Sequence, residues 1–426
     1  MPWRVALLLA TLPAPAAAQQ TDMTLTEAVR RALEVQPAVV QARGDLRNAR
    51  AGQRSATGAF LPTIDLGGAS NNASSNRYNA STGQIVNVPS STSYSGGLSL
   101  SLDLFDGLRR LGNKSAAAAT QEAADAGLVN QRYQVTAATA QVFFTALAAE
   151  ALVRVAEAQL QRTKQSLQIS VNRFQVGAGL RSDTLTSTVD FGTARLALLQ
   201  AQANLATAQA NLGRQVGLDQ PVHALRDSLF APLPDTTGLR AQVLDSSPQM
   251  QQAEAQARAA RAFVRVAHGE YWPTVSASYS NGYTGLETPW SGTQSYLNNW
   301  SLRFSLSWTL FDGFSREGNQ VSASVQRDIA EAHAADLRLQ LNALFTQQVA
   351  GVFTASAQIG VADDNVAAAA EALRVQQDRY RLGAGTLLDL LNTEADATQT
   401  EVNQVQARFN YLNARAQLEA LVGHSL

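Results

Sequence analysis

The chain contains one sequence unit twice, and this duplication constrains the fold more than any other feature. The tetrapeptide LFDG stands at 104–107 and again at 310–313, and RFQVGAG at 173–179 corresponds to RYRLGAG at 379–385. The two copies of each motif are separated by the same number of residues, whereas the earlier pairs Pro37/Pro248 and Pro62/Pro273 are slightly farther apart. The length difference therefore falls between two strand-like stretches, where a loop tolerates it. We expect two structurally equivalent repeats.

The first 18 residues predict a signal peptide. Arg4 precedes the apolar run 5–12, and the small residues ending at Ala18 provide a cleavage site. Export then places the chain in the periplasm, the outer membrane or the medium. The chain is expected to divide into a signal peptide at 1–18, a first repeat at 19–220, a linker at 221–238 and a second repeat at 239–426.

The composition excludes several classes of protein. With 33 basic and 34 acidic residues the net charge is -1, whereas a nucleic-acid-binding chain carries a basic excess. The absence of cysteine excludes disulfides, thiolate zinc sites and a lipid-modified N-terminal cysteine. The four histidines are scattered, and catalytic motifs such as G-x-S-x-G and H-E-x-x-H are missing. We therefore predict neither an enzyme nor a cofactor or metal site.

Long stretches without proline predict long helices. No proline occurs between Pro89 and Pro221 or after Pro289. Apolar residues spaced by sevens in both copies predict coiled-coil packing: Val153, Leu160, Leu167 and Phe174, then Ile359, Val366, Leu373 and Tyr380. A helix from about Lys114 to Val176 would be ~90 Å long. Past the first dozen residues no apolar run approaches the length of about 18 residues that a transmembrane helix needs, so we expect no inner-membrane span in the mature chain.

Alternating apolar and polar residues predict two strands in each copy. We place them at about 62–70, 97–105, 273–283 and 299–311, with polar loops at 71–92 and 284–298. A soluble sandwich alternates in the same way. Strands of about ten residues with an apolar outer face are typical of outer-membrane barrels. Trp300 and Trp308, near opposite ends of one apolar face, are predicted to lie at the membrane interfaces.

Four strands in one chain cannot close a membrane barrel, since single-chain barrels begin at about eight strands. Open strand edges cannot face lipid. The barrel must therefore be shared between chains. Three chains would supply twelve strands, although the count alone does not fix the number three.

These features together resemble the TolC family of outer-membrane efflux channels. The resemblance rests on the duplicated helix–strand–strand–helix unit, the two LFDG blocks and the two glycine-rich tips, and it covers nearly the whole mature chain. It implies a mainly α fold with a membrane β-barrel: a homotrimer in which twelve strands stand on a long periplasmic α-helical barrel. It also implies outer-membrane lipid around the strands, a periplasmic adaptor protein and an inner-membrane pump of the RND or ABC type as partners.

The glycine-rich segments are predicted to be helix–helix turns at one end of the tunnel, because glycine adopts the left-handed conformations that tight turns need. Asp183 and Asp389 follow them at equivalent positions and, in a trimer, would form a carboxylate ring that favours cations. Alternatively, each aspartate only caps its helix.

The resemblance assigns a gate to the same end of the tunnel. It implies that Asp183 pairs with Tyr380 to close the entrance. An arginine that forms a second lock in the family is replaced by Gly385, and a second acidic residue is replaced by Asn392. Adaptor docking is expected on the exposed tips, namely Val176, Gly177, Ala178, Gly179, Leu382, Gly383, Ala384 and Gly385.

The predicted function is the outer-membrane channel of a tripartite efflux or type I secretion system. The alternatives are a periplasmic coiled-coil adaptor, which would lack the apolar-out strands, and a passive porin, which would lack the long helices. The sequence does not identify the cargo.

Overall fold

A computed structural model describes residues 21–81, 83–225, 238–288, 296–424 and 426. The predicted signal peptide lies outside the described residues, as do residues 226–237 of the predicted linker and residues 289–295 of the second predicted loop.

Each repeat contains two short helices, a strand pair, a helix of 67 residues and a helix of 35 or 36 residues. The helices are α1 Leu25–Val35, α2 Pro37–Gly58, α3 Arg109–Gln175, α4 Arg181–Gln215, α5 Leu239–Ser246, α6 Pro248–Gly269, α7 Ser315–Arg381 and α8 Leu387–Val422. The strands are β1 Thr21–Met23, β2 Thr63–Asn79, β3 Gln84–Phe105, β4 Val222–Ala224, β5 Thr274–Gly285 and β6 Leu297–Ser307.

The chain forms two compact units. The strand unit, residues 44–126 and 251–337, contains an antiparallel sheet in the order β2-β3-β5-β6. The tip unit comprises residues 21–43, 127–250 and 338–426 and contains the parallel pair β1-β4. The predicted order of helices and strands is thus observed in both repeats.

The first hairpin is longer than predicted. Strands β2 and β3 stay paired through most of the segment assigned to a loop at 71–92, with Asn71 opposite Ser93 and Asn76 opposite Asn87. The prediction was wrong here because it took serine and asparagine as signs of a loop. Backbone pairing continues with polar side chains on an exposed ribbon, and Gly83, with φ +66°, provides the turn.

The last strand is shorter than predicted. Strand β6 ends at Ser307 rather than at 311, so Trp308 lies directly after it and donates from Nε1 to the Tyr271 carbonyl oxygen at 3.2 Å. Its counterpart β3 runs on to Phe105, which is paired with Val275 of β5. The difference has a physical cause: β3 has partners on both sides, whereas β6 is an edge strand in one chain.

The LFDG blocks form the turn from a strand into a long helix. Gly107 and Leu108 have φ near +69°, and Gly313 and Phe314 repeat this pair of left-handed residues. In the first copy the carboxylate of Asp106 accepts a hydrogen bond from the backbone N–H of Arg110, in the first turn of α3, at 2.8 Å. A left-handed leucine or phenylalanine is strained, so the surrounding contacts must hold it in place.

The heptad pattern is only partly buried in one chain. Val153, Leu373 and Tyr380 are buried, whereas Phe174 is 45% exposed. The most buried polar line on α3 consists instead of the small residues Thr163, Ser166 and Ser170. Small side chains let neighbouring helices approach closely. The buried contact along this part of α3 is therefore made by small polar residues rather than by the apolar heptad positions.

Among the described residues, one helix, α3, contains an 18-residue window that is long and apolar enough to cross a membrane. The search for uninterrupted apolar runs missed this window. Length and composition alone are weak evidence for a span, because core helices of water-exposed proteins also satisfy them.

Candidate functional site

The two tips have the same backbone turn. Gly177 and Gly383 have φ of 77° and 81°, and the following alanine N–H bonds to the carbonyl oxygen of Arg173 or Arg379 at 2.8 Å in both copies. Glycine is required at these positions because an L side chain is strained there. The sequence therefore predicted the turns correctly from the glycine pair in each block.

Gly385 has a packing reason to be glycine. A Cβ there would lie 2.9 Å from Gln376 Nε2 and 3.3 Å from Arg379 Cβ. A side chain at this position would displace Gln376, which is itself buried. Glycine therefore stands here in place of the arginine expected from the resemblance, because the turn leaves little room for a side chain.

Tyr380 is the central side chain of the second tip. It is 1% exposed and packs in a cluster with Leu373, Leu387, Leu390 and Ala397. A buried tyrosine hydroxyl needs a hydrogen-bonding partner. The tyrosine therefore joins the cluster only if a polar group on a neighbouring helix meets its hydroxyl.

That partner is Ser170 of α3, whose Oγ lies 2.9 Å from Tyr380 Oη and 2.9 Å from Ser187 Oγ. Arg173 covers the ring at 4.7 Å and donates from its guanidinium to the Tyr380 carbonyl oxygen at 2.7 Å. The side chain and backbone of Tyr380 thus connect α7 to α3, and Ser187 extends the connection to α4.

The structure does not bring Asp183 to Tyr380. Within the described part of the chain, the side-chain hydrogen bond of Asp183 comes from its neighbour Ser182 at 3.5 Å, and the tyrosine hydroxyl is used by Ser170. The expected lock is absent from the single chain. The signal that could have identified the actual partners is the line of small polar residues on α3, together with the repeated arginine of the tip blocks.

Asp389 caps its helix. Its Oδ2 accepts hydrogen bonds from Thr386 Oγ1 at 2.7 Å and from Thr386 N at 3.3 Å, and its own N–H donates to Thr386 Oγ1. The bonds from Thr386, with a smaller contribution from Arg379, lower the pKa of Asp389. The capping alternative therefore holds for Asp389. It does not hold for Asp183, because α4 begins after Leu180 without a side-chain cap.

A buried acid near the tip was missed by the sequence analysis. Asn392 is exposed, but Glu394 is only 5% exposed, and its Oε1 accepts from Ser166 Oγ at 2.5 Å. Its other oxygen is buried and has no hydrogen-bonding partner among the described residues. Burial raises the pKa of Glu394, nearby Asp190 raises it further, and Ser166 and Arg162 lower it.

Glu394→Gln is expected to reduce the pH dependence of the tip unit's stability. Because the folded-state pKa is raised, the stability contribution of Glu394 is fully present below the ordinary pKa of 4.5 and is lost as pH rises through the folded-state pKa. Thermal midpoints measured from pH 4 to 8 should fall more steeply for the wild type than for the variant. Glu157→Gln, at an exposed position of α3, is the control. Parallel curves for wild type and Glu394→Gln would contradict the assignment.

The tips and the last strand also expose apolar side chains. Val176, Leu180 and Leu382 are exposed at the tips, and Trp300 and Trp308 are exposed in and after β6. Among the described residues, no group of three or more histidine, aspartate and glutamate side chains is placed to hold a metal ion.

Comparison with known proteins identifies the family. The sequence profile described as "Outer membrane efflux protein" matches residues 28–218 and 239–424. The probable efflux pump outer membrane protein TtgC of Pseudomonas putida is 23% identical over 76% of this chain, and the match spans 66% of TtgC. Protein CyaE of Bordetella pertussis is 28% identical over 90% of this chain and 80% of CyaE.

The crystal structure of the outer membrane protein VceC of Vibrio cholerae has the same fold. It superimposes with a TM-score of 0.80 at 19% identity, covering 94% of this chain and 96% of VceC. The predicted fold class and the family resemblance are thereby confirmed. The chain belongs to the outer membrane efflux protein family: it is a protein of the outer membrane, with its helical part in the periplasm.

Proposed function

We propose that the chain is the outer-membrane channel of a tripartite efflux or type I secretion system and works as a homotrimer. The observation that carries this proposal is the four-stranded sheet, whose edge strands are β2 and β6. Leu302, Phe304 and Leu306 expose an apolar face on the edge strand β6. Such a sheet is compatible with lipid only when other copies pair with its edges, and three copies give twelve strands.

Export is the favoured direction of transport. TtgC, of which the match spans 66%, is named a probable efflux pump outer membrane protein. A periplasmic adaptor and an inner-membrane pump of the RND or ABC type are the partners that fit such a channel. The exposed apolar residues Val176, Leu180 and Leu382 are the surface that we assign to the adaptor.

The periplasmic entrance is the gate in this proposal. Tyr380, held by Ser170 and Arg173, fixes the second tip against α3, so opening requires this contact to break or to move as a unit. The carboxylates of Asp183, which is half-buried, and of Asp389, which is exposed, add a cation preference to the entrance.

Removing the tip charges is expected to weaken that preference. The double variant Asp183→Asn/Asp389→Asn keeps the size of both side chains, and asparagine still accepts a capping hydrogen bond. Reversal potentials measured across a salt gradient should move toward zero. The cation-to-anion permeability ratio calculated from them should fall several-fold. Asp219→Asn removes an exposed charge after α4 and is the control. An unchanged reversal potential in the double variant would exclude these aspartates from the selectivity ring.

Dye accumulation in whole cells separates the candidate functions. Deletion of an export channel raises the intracellular level of a fluorescent efflux substrate, and the full-length chain restores the low level. Deletion of a passive porin lowers uptake instead, so the sign distinguishes the two. A periplasmic adaptor would in addition be missing from the outer-membrane fraction. Lower accumulation on deletion would contradict the proposal.

A further inference from the structure

Two segments of the first repeat meet where its strands join its helices. One segment runs from the end of α2 at Gly58 to the start of β2 at Thr63, and the other contains the LFDG turn and the start of α3. Because the strands belong to the outer membrane and the helices to the periplasm, this first junction lies at the periplasmic surface of the membrane. The periplasmic leaflet there consists of phospholipids, and each of them carries a phosphate group at that depth.

Two cations lie over one aromatic ring at the first junction. The guanidinium carbon of Arg110 is 5.1 Å from the centroid of the Phe60 ring, and Lys114 Nζ is 5.8 Å from the same centroid. Arg110 also pairs with Asp106 at 3.3 Å and donates to the Ala59 carbonyl oxygen at 3.3 Å. The carboxylate of Asp106 balances one of the two positive charges, and the other remains unbalanced.

Lys114 carries the unbalanced charge. It is exposed, and among the described residues its ammonium group contacts the Phe60 ring but forms no ion pair. The chain has only one other lysine, Lys164, and its remaining basic residues are arginines. An ammonium group is a compact point charge that suits a phosphate oxygen. The first junction therefore presents a free cation at the depth of the lipid phosphates.

Exposed apolar side chains accompany this cation. Leu61 is 68% exposed, Leu108 and Leu111 are also exposed, and so is part of the Phe60 ring. Leu111 and Lys114 are three residues apart on α3 and therefore share one side of the helix. Isolated exposed leucines are ordinary, but leucines grouped beside a cation match a phospholipid, which has acyl chains next to a phosphate.

The equivalent junction of the second repeat has the ring but not the lysine. The Arg316 guanidinium lies 5.1 Å from the centroid of the Tyr271 ring, whereas Gln320 stands in place of Lys114 and Glu317 in place of Leu111. Residues 106–114 include three basic residues and one acidic residue, a net charge of +2. Residues 312–320 include one basic and two acidic residues, a net charge of -1. The excess of positive charge thus belongs to the first junction alone.

We propose that the first junction binds the phosphate of a phospholipid from the periplasmic leaflet, one lipid per chain. Lys114 contacts the phosphate, Arg110 adds positive charge beside it, and the acyl chains lie against the exposed leucines. The second junction lacks this site. The inference depends on the location of the chain in the outer membrane, and it is independent of the direction of transport and of the gate.

Native mass spectrometry of the purified full chain tests the site, with phosphatidylglycerol as the probe. Lys114→Gln copies the second repeat and should weaken binding of the tightest lipid about fivefold, because one surface cation contributes about 1 kcal/mol to binding of an anionic lipid. Lys164→Gln removes the other lysine, which is exposed in the tip unit, and should change the affinity less than twofold. Thermal midpoints equal to that of the wild type would show that both variants fold normally.

Diacylglycerol with the same acyl chains separates the phosphate contact from the apolar contact. It has no phosphate, so it should bind the wild type at least fivefold more weakly than phosphatidylglycerol does, and it should not distinguish the wild type from Lys114→Gln. Equal affinities of the wild type for the two lipids would overturn the phosphate contact. An unchanged affinity of Lys114→Gln for phosphatidylglycerol would overturn it as well.

A gain of binding at the second junction is the stricter test. The double variant Glu317→Leu/Gln320→Lys gives the second junction the side chains of the first, so the number of tightly bound phosphatidylglycerol molecules should rise from one to two per chain. Glu317→Leu alone adds apolar surface without a cation and should leave the number at one. A second lipid on the single variant, or no second lipid on the double variant, would overturn the role assigned to the lysine.

Discussion

Tyr380→Ala is expected to loosen the second tip and to raise the open probability of the channel. The substitution removes a ring that is 1% exposed and deprives Ser170 of its contact with the tyrosine hydroxyl, so that only Ser187 remains as a side-chain partner of the Ser170 hydroxyl. Truncation of a buried aromatic side chain costs about 3–5 kcal/mol. This cost falls on the contact that joins α7 to α3, so the tip unit should unfold earlier and the entrance should open more often.

Two variants calibrate this prediction. Tyr380→Phe loses only the hydroxyl hydrogen bond, worth about 1 kcal/mol, and should have an intermediate effect. Phe174→Ala alters the equivalent position of the first repeat, where the ring is 45% exposed, and should have a small effect. Single-channel recordings and thermal midpoints measure all three. Identical conductance and midpoint for Tyr380→Ala and the wild type would show that the cluster does not hold the tip.

Gly107→Ala is expected to prevent accumulation of folded protein in the outer membrane. The new Cβ would collide with the carbonyl oxygen of Gly269, the last residue of α6, and approach Trp272 Cβ at 3.0 Å, so the backbone of the LFDG turn or of the end of α6 would have to shift. The residue also has φ +69°, where a side chain is strained by about 1–2 kcal/mol.

Gly83→Ala separates strain from collision. Gly83 has φ +66° in the first hairpin turn but open space around it, so its variant carries only the strain. The folded amount in purified outer membranes should drop at least tenfold for Gly107→Ala and less than twofold for Gly83→Ala. Similar losses for both variants would mean that backbone strain, rather than the close contact with Gly269, is the reason that Gly107 must be glycine.

The sequence was sufficient for the features that depend on spacing. Glycine pairs at 177–179 and 383–385 predicted the helix turns, and the alternation in 98–104 predicted a strand, because local geometry determines both patterns. The end of β6 was not predictable in the same way. It depends on whether a neighbouring strand supplies hydrogen bonds, and that neighbour is not encoded within the segment itself.

The gate shows the other limit of sequence reasoning. Tyr380 and its buried position followed from the heptad spacing, but its partner Ser170 lies far away in sequence and carries no distinctive motif. The resemblance suggested Asp183 instead. Glu394 was missed for a related reason, since an acid on a polar helix is usually exposed and only the packing against Ser166 buries it.

Planar-bilayer recording of the purified chain, with native mass measured on the same sample, tests the central claim most directly. We predict three chains per particle and small cation-selective conductance steps. A monomer without channel activity would contradict the shared barrel, and with it the account of this chain as an outer-membrane channel.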